Sequence, residues 1–142
     1  MKAIAYSIQA FEKESLILAN GKKHDLTLIS NELNDKTIQF SVGKEAVVVS
    51  MDDLLPTSIL NDLWEKGVKY IIVRGNSTSN VDVLSATKIG FKTAYVPGED
   101  QSAGTIAQQV IHFLHAWEEG KSVGLECCCD KIIAPKNSVK SV

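Results

Sequence analysis

The chain has 142 residues, 44% of them hydrophobic, with 15 Lys and Arg against 17 Asp and Glu and a formal net charge of −2. That length accommodates one domain with a substantial core rather than two, and the scattered basic residues form no footprint for nucleic acid or an anionic membrane surface. No apolar run approaches the roughly 20 residues that a bilayer-spanning helix needs, and Met1 leads straight into strand-like residues without a leader, so a reducing cytoplasm is the expected compartment.

Residues 2–7 alternate loosely and predict a first strand. Phe11, Ser15, Leu16, Leu18 and Ala19 predict a helix stopped by Asn20-Gly21. Residues 25–30 (DLTLIS) read as a second strand, and Leu33, Thr37, Ile38 and Phe40 suit a short helix or an irregular turn. Val47, Val48 and Val49 run without alternation, as in a strand covered on both faces. Asp52-Asp53 ends that strand and is expected to start the next helix, with Pro56 in its first turn. The stripe of that helix is Ile59, Leu60, Leu63 and Trp64, and Gly67 stops it.

Residues 67–97 read as strand, polar loop, helix and strand. Tyr70 to Val73 make the fourth strand, and Gly75-Asn76-Ser77-Thr78-Ser79-Asn80 the loop. Val81, Leu84 and Ile89 recur at helical spacing before Gly90, and Phe91 to Val96 form the fifth strand, closed by Pro97. Ser102 or a neighbour caps a last helix with the stripe Ile106, Val110, Phe113, Leu114 and Trp117, stopped by Gly120.

Five strands alternating with helices imply a parallel sheet with right-handed crossovers and helices on both faces. The expected architecture is a three-layer, flavodoxin-like α/β fold with strand order 2-1-3-4-5 over residues 1–120. Residues 121–142 break the pattern and are expected to be a partly ordered extension, with a short strand near 131–134. The donor-rich loop after the fourth strand lies at the carboxyl edge of such a sheet, where open α/β folds bind ligands.

Arg74, Asn80-Val81-Asp82 and Val96-Pro97, together with MKAIAYS at the start and AVVVSMDDLLPTSILNDL in the middle, give the chain a resemblance to a known family. In order and spacing they resemble the substrate-binding domain of the D-isomer-specific 2-hydroxyacid dehydrogenases, D-lactate dehydrogenase above all. The likeness covers about the first four-fifths of the chain. It implies the same flavodoxin-like fold and, for full enzymes, NAD-dependent hydride transfer to a 2-keto acid.

The family's cofactor domain follows a helix resembling the last one here, and supplies an Arg, a His and a Glu for catalysis. None of these has a counterpart in this sequence, and no strand followed by GxGxxG comes after Gly120. Because hydride transfer needs donor and acceptor held in near-attack geometry, the chain is expected to be inactive alone, with NAD implied by resemblance only. The family's substrate loop commonly reads Ser-Ala-Gly-aromatic-Asn; here it reads Gly75, Asn76, Ser77, Thr78 and Ser79, which exchanges the glycine for Ser77 and the aromatic for Thr78. Asn76, Ser77 and Thr78 still offer amide and hydroxyl donors to a small organic anion, or form a polar turn that satisfies its own backbone. The family's next loop carries an aromatic where this chain has Glu99-Asp100, a pair suited to the start of a helix.

Two further readings arise from the residues. An Asp at the end of the third strand resembles the phosphorylation site of response-regulator receivers, but the acidic pair those need after the first strand is Ser7-Ile8-Gln9 here. The consecutive Cys127-Cys128-Cys129 is no disulfide framework. With Cys127 and Cys129, His112 and His115 (i and i+3 on the last helix) make a conceivable metal site, although CxxC spacing is absent. The expected function is a non-catalytic anion-binding or interaction module. The alternatives are a dehydrogenase half completed by a separate nucleotide-binding chain, and a thiol or metal protein. The apolar stripe between Ser102 and Glu119 either folds back on the sheet or pairs two chains, and a homodimer is expected.

Overall fold

The structure is a computed structural model that describes residues 1–124. Five strands of four residues, β1 (Lys2–Ala5), β2 (Asp25–Leu28), β3 (Ala46–Val49), β4 (Tyr70–Val73) and β5 (Lys92–Tyr95), form one parallel sheet in the order β2-β1-β3-β4-β5. Helices α1 (Ala10–Asn20), α2 (Thr57–Glu65), α3 (Val83–Ile89) and α4 (Ala103–Glu118) connect or follow the strands. The β2–β3 crossover carries only a 3₁₀ turn, Ile38–Ser41, where the sequence suggested a short helix or turn. This is the expected flavodoxin-like architecture.

Each central strand sends alternate residues to two cores. Ile4, Val47, Val49, Ile71 and Val73 face α2, α3 and the 3₁₀ turn. Ala3, Ala5, Ala46, Val48, Ile72 and Ala94 face α1 and α4. The small alanines on this second face leave room for the large side chains of α4. Phe113, Leu114 and Trp117 are buried there, with the Trp117 ring stacked 4.7 Å from Tyr70. The α4 stripe therefore folds back on its own sheet, the first of the two outcomes its sequence allowed. Val123 packs on the same core. The expected strand near 131–134, the expected extension beyond residue 124 and the cysteines lie outside the described residues.

One local expectation holds with a detail the sequence did not address, and two are corrected. α1 forms where expected, but only Leu16 among its apolar residues is deeply buried; Phe11, Ile17 and Leu18 are exposed. Leu84 points outward too. Asp82 caps α3, so Val81 lies before the helix, and the core-facing stripe runs through buried Ala86 and half-buried Val83 and Ile89. The strand expected over residues 2–7 ends at Ala5, because Ser7 takes a left-handed backbone (φ 59) that turns the chain away from the sheet. Gly90 is fixed by its surroundings. Its φ is 124, and an added Cβ would come within 2.7 Å of the Trp64 ring.

Candidate functional site

The strand order reverses direction between β1 and β3, and at the carboxyl ends of these strands lies a cleft of about 420 Å³. Its walls include Ser7, Gln9, Glu12, Glu32, Met51 and Arg74. Arg74 is the cation of this group, and it is fully engaged. Its Nε donates to Glu12 Oε2 at 2.9 Å and Nη2 to Glu12 Oε1 at 3.3 Å. Nη1 donates to the Tyr6 carbonyl at 2.9 Å and Nη2 to the Ser7 carbonyl at 3.1 Å. The guanidinium is buried and ties the end of β4 to the end of β1 and the first turn of α1. With Glu32 and Asp52 also at the cleft, the edge offers an incoming carboxylate no uncommitted arginine.

Asp53 performs a second structural task. The sequence suggested that Asp52 or Asp53 opens α2; instead α2 begins at Thr57 behind Pro56, and Asp53 is buried behind the cleft. Its Oδ1 accepts from Ser7 Oγ at 2.8 Å and from the Leu33 N–H at 3.0 Å. Its Oδ2 accepts from the Ser50 N–H at 2.9 Å and from Ser50 Oγ at 3.2 Å. One carboxylate thus fastens the ends of β1 and β3 and the loop after β2.

The Asn80-Val81-Asp82 motif sets the frame of the loop after β4. Asn80 Nδ2 donates to the carbonyls of Ser50 at 2.9 Å and Asp53 at 2.7 Å. Val81 is buried beside Leu55 in an isolated parallel bridge. Asp82 accepts from the Ser85 N–H at 3.2 Å, and the Ser85 backbone and hydroxyl bonds hold its carboxyl below the usual range. Between these anchors Asn76 is exposed, and Ser77 and Thr78 are half-buried. Ser77 Oγ accepts from the Ser79 N–H at 3.1 Å, so part of the loop does satisfy its own backbone. The side chains of Asn76 and Thr78 make no hydrogen bond within the described residues. These three residues do not line the cleft; Met51, which does, lies against Gly75 at the root of the loop.

At the following loop Asp100 accepts from Thr105 Oγ1 at 2.7 Å and from the Ser102 N–H at 3.1 Å, while Ser102 caps α4. The Thr105 hydroxyl is the main cause of the lowered pKa of Asp100. Asp100 thus takes the helix-start role expected of the Glu99-Asp100 pair.

His112 and His115 both lie on the exposed flank of α4, but the structure does not bring them to a common ligand. His112 sits beside Phe113, and His115 pairs with Glu119 at 3.1 Å. Cys127 and Cys129 lie outside the described residues. His24, which no local sequence signal distinguished, is instead the partner His115 finds, with the two rings 6.3 Å apart. His24 is buried in the turn before β2, and Asn20 brackets its backbone with two hydrogen bonds.

Burial lowers the pKa of His24, and the Met1 ammonium, His115 and Lys23 act in the same direction against the opposing Glu118. The unfolded chain takes up this proton near pH 6.5 and the folded chain only at lower pH. The contribution of His24 to stability is therefore complete above about pH 6.5 and declines as pH falls toward its folded pKa. Urea midpoints should fall between pH 7.5 and 5.5, with a shallower slope in His24→Gln. Equal slopes in the two proteins would contradict this assignment. The lowered carboxyl pKa values of Asp82, Asp100, Glu118 and Glu119 act in a more acidic window.

No family model matches the chain. It is 33% identical over 112 residues to D-lactate dehydrogenase of Escherichia coli (strain K12), a match covering 78% of this chain and 33% of that enzyme. The apo-structure of D-lactate dehydrogenase from Escherichia coli superposes with a TM-score of 0.68 at 33% identity, over 70% of this chain and 32% of that one. The NAD complexed form of the D-isomer specific 2-hydroxyacid dehydrogenase from Lactobacillus delbrueckii ssp. bulgaricus superposes with a TM-score of 0.62 over 69% of this chain and 30% of that one. At 18% identity that likeness shows the fold alone. The doubly wound sheet defines an open α/β domain, and the 33% identity to D-lactate dehydrogenase supplies its family. The chain belongs to the D-isomer-specific 2-hydroxyacid dehydrogenase family, with D-lactate dehydrogenase among its relatives. It spans about a third of the length of the curated relatives it matches. Among the described residues no helix is long and apolar enough to cross a membrane.

Proposed function

We propose that the chain is a substrate-domain module of this family that binds a small organic anion at the carboxyl edge of the sheet without transferring hydride on its own. The observation that carries this reading is the contrast between Arg74 and the neighbouring loop. Arg74 is held inside the fold by Glu12 and backbone carbonyls, whereas Asn80 and Asp82 anchor a loop on which Asn76 and Thr78 present neutral side-chain donors and Ser77 Oγ, now donating to Ser79 Oγ, can exchange that bond for a ligand. Neutral donors on a fixed frame suit a small carboxylate bound with modest affinity.

Pyruvate and D-lactate are the probes. Ligand present at about 100 times its Kd stabilises the folded chain by about 2.7 kcal/mol. A saturable rise in melting temperature that is lost in Asn76→Ala/Ser77→Ala is the expected result. An equal rise in the variant, or none with either acid, would contradict the site.

A second reading has one observation in its favour, the match to a third of a dehydrogenase. On that reading the chain is the substrate-binding half of an NAD-dependent enzyme completed by a separate nucleotide-binding chain. Size-exclusion with light scattering tests the chain for pairing. The exposed apolar residues that would serve such pairing are Phe11, Ile17 and Leu18 on α1, since the α4 stripe is covered.

A further inference from the structure

The edge of the sheet opposite the cleft carries a second group of chemically capable side chains. His24 stands just before β2, and His115 and Glu118 lie in the last turns of α4, three residues apart on one flank. One donor atom from each lies within 4.8 Å of the others. The geometry points to a zinc site formed by His24, His115 and Glu118, pinning the end of α4 to the amino edge of β1 and β2.

Three observations carry this assignment. The His24 side chain is fully buried, yet its Nε2 makes no hydrogen bond, and its Nδ1 faces only the Met1 amine at 3.5 Å and Glu118 Oε2 at 3.9 Å. The nitrogen that faces the cluster is Nδ1, and among the described residues the only groups it meets there are the Met1 amine and Glu118, so a metal that displaces the amine finds an acceptor nitrogen already turned toward it.

His115 is oriented from behind. Its Nε2 lies 3.1 Å from Glu119 Oε2, and Lys121 holds the other Glu119 oxygen at 3.1 Å. A proton on Nε2 directed at Glu119 leaves the Nδ1 lone pair free, the carboxylate–histidine arrangement that commonly steers a metal-binding ring.

The third is the donor set. Two imidazoles and one carboxylate are a known three-ligand set for zinc, with water in the fourth position. Bonds of about 2.0–2.1 Å in a tetrahedron place donors roughly 3.3 Å apart. The group must therefore contract by about 1.5 Å at its widest. Glu118 is exposed and supplies that movement, whereas His24 is buried and His115 is held by Glu119. The metal must also displace the Met1 ammonium, which is paired with Glu118.

The test uses the full chain with any affinity tag removed, stripped of metal with a chelator. Because Cys127, Cys128 and Cys129 are candidate zinc ligands in their own right, the background is the variant with all three changed to Ser. Calorimetric titration with zinc is expected to give one saturable site per chain in that background. His115→Ala and Glu118→Gln, both at exposed positions, should each weaken it by about 10-fold or more, at least the loss seen when an outer partner of a ligand is removed. Cobalt(II) should give the visible bands of a low-coordinate ion, lost in His115→Ala. Absence of a saturable site in the cysteine-free chain, or a smaller change in either variant, would overturn the assignment.

Discussion

Replacing Arg74 by Met should lower the unfolding free energy by roughly 3–5 kcal/mol, the range for breaking a buried ion pair from one side. Methionine fills much of the same volume but donates nothing. The Tyr6 and Ser7 carbonyls, and the Glu12 carboxylate beside them, would each lose a donor in a place water reaches poorly. The coupling can be isolated by a cycle of Arg74→Met, Glu12→Gln and the double variant. If the pair is the clamp described, the double variant should lose much less than the sum of the singles, because neither leaves the other stranded. Denaturant unfolding followed through Trp64 and Trp117 would give the values, with the midpoint falling and the slope unchanged. A loss below about 1 kcal/mol in Arg74→Met, typical of a surface pair, would leave Arg74 free to bind a ligand and would undo the reading of the cleft.

Asp53→Ala should cost about 2–6 kcal/mol, since an N–H left without a partner away from water costs about 1–3 kcal/mol and two are left here, one buried and one part-buried. Leu33 and Ser50 supply those N–H groups, and the Ser7 and Ser50 hydroxyls lose an acceptor as well. Asp53→Asn separates geometry from charge. One of its two oxygens becomes NH₂. If that group replaces Oδ2, it opposes the Ser50 N–H donor to donor; if it replaces Oδ1, it opposes Leu33 in the same way. Asparagine should therefore recover only part of the loss. Full recovery would mean that shape rather than acceptor count holds the three segments together.

The sequence made the parallel sheet legible because its signals are local. Val47 to Val49 and Tyr70 to Val73 are short apolar runs between turn residues, and Gly21 and Gly90 stop helices where a left-handed or otherwise positive φ is required. The cap at Ser102 was equally close to the helix it starts. The roles of Arg74, Asp53 and His24 were not legible, because each depends on partners that only the folded topology supplies. Glu12 stands 62 positions before Arg74, Ser7 stands 46 before Asp53, and His115 stands far beyond His24 in sequence. Parallel strands bring such distant segments to one edge without any sequence period to announce it.

The covered face of α1 was not legible, for a different reason. Phe11, Leu16 and Leu18 mark a helix, but apolar character does not say which residues are covered, and only Leu16 is. The loop at Asn76, Ser77 and Thr78 was legible as a donor-rich turn. Its separation from the cleft was not, because Met51, which lies against the root of the loop, is brought there by β3.

The central claim, that this domain alone holds an organic anion but passes no hydride, is tested most directly by following NADH absorbance with pyruvate and the purified full chain, with no second protein present. The account predicts the rate of the protein-free blank, together with saturable pyruvate binding in the same preparation. Turnover that tracks the chain through purification and is lost in Asn76→Ala/Ser77→Ala would contradict it.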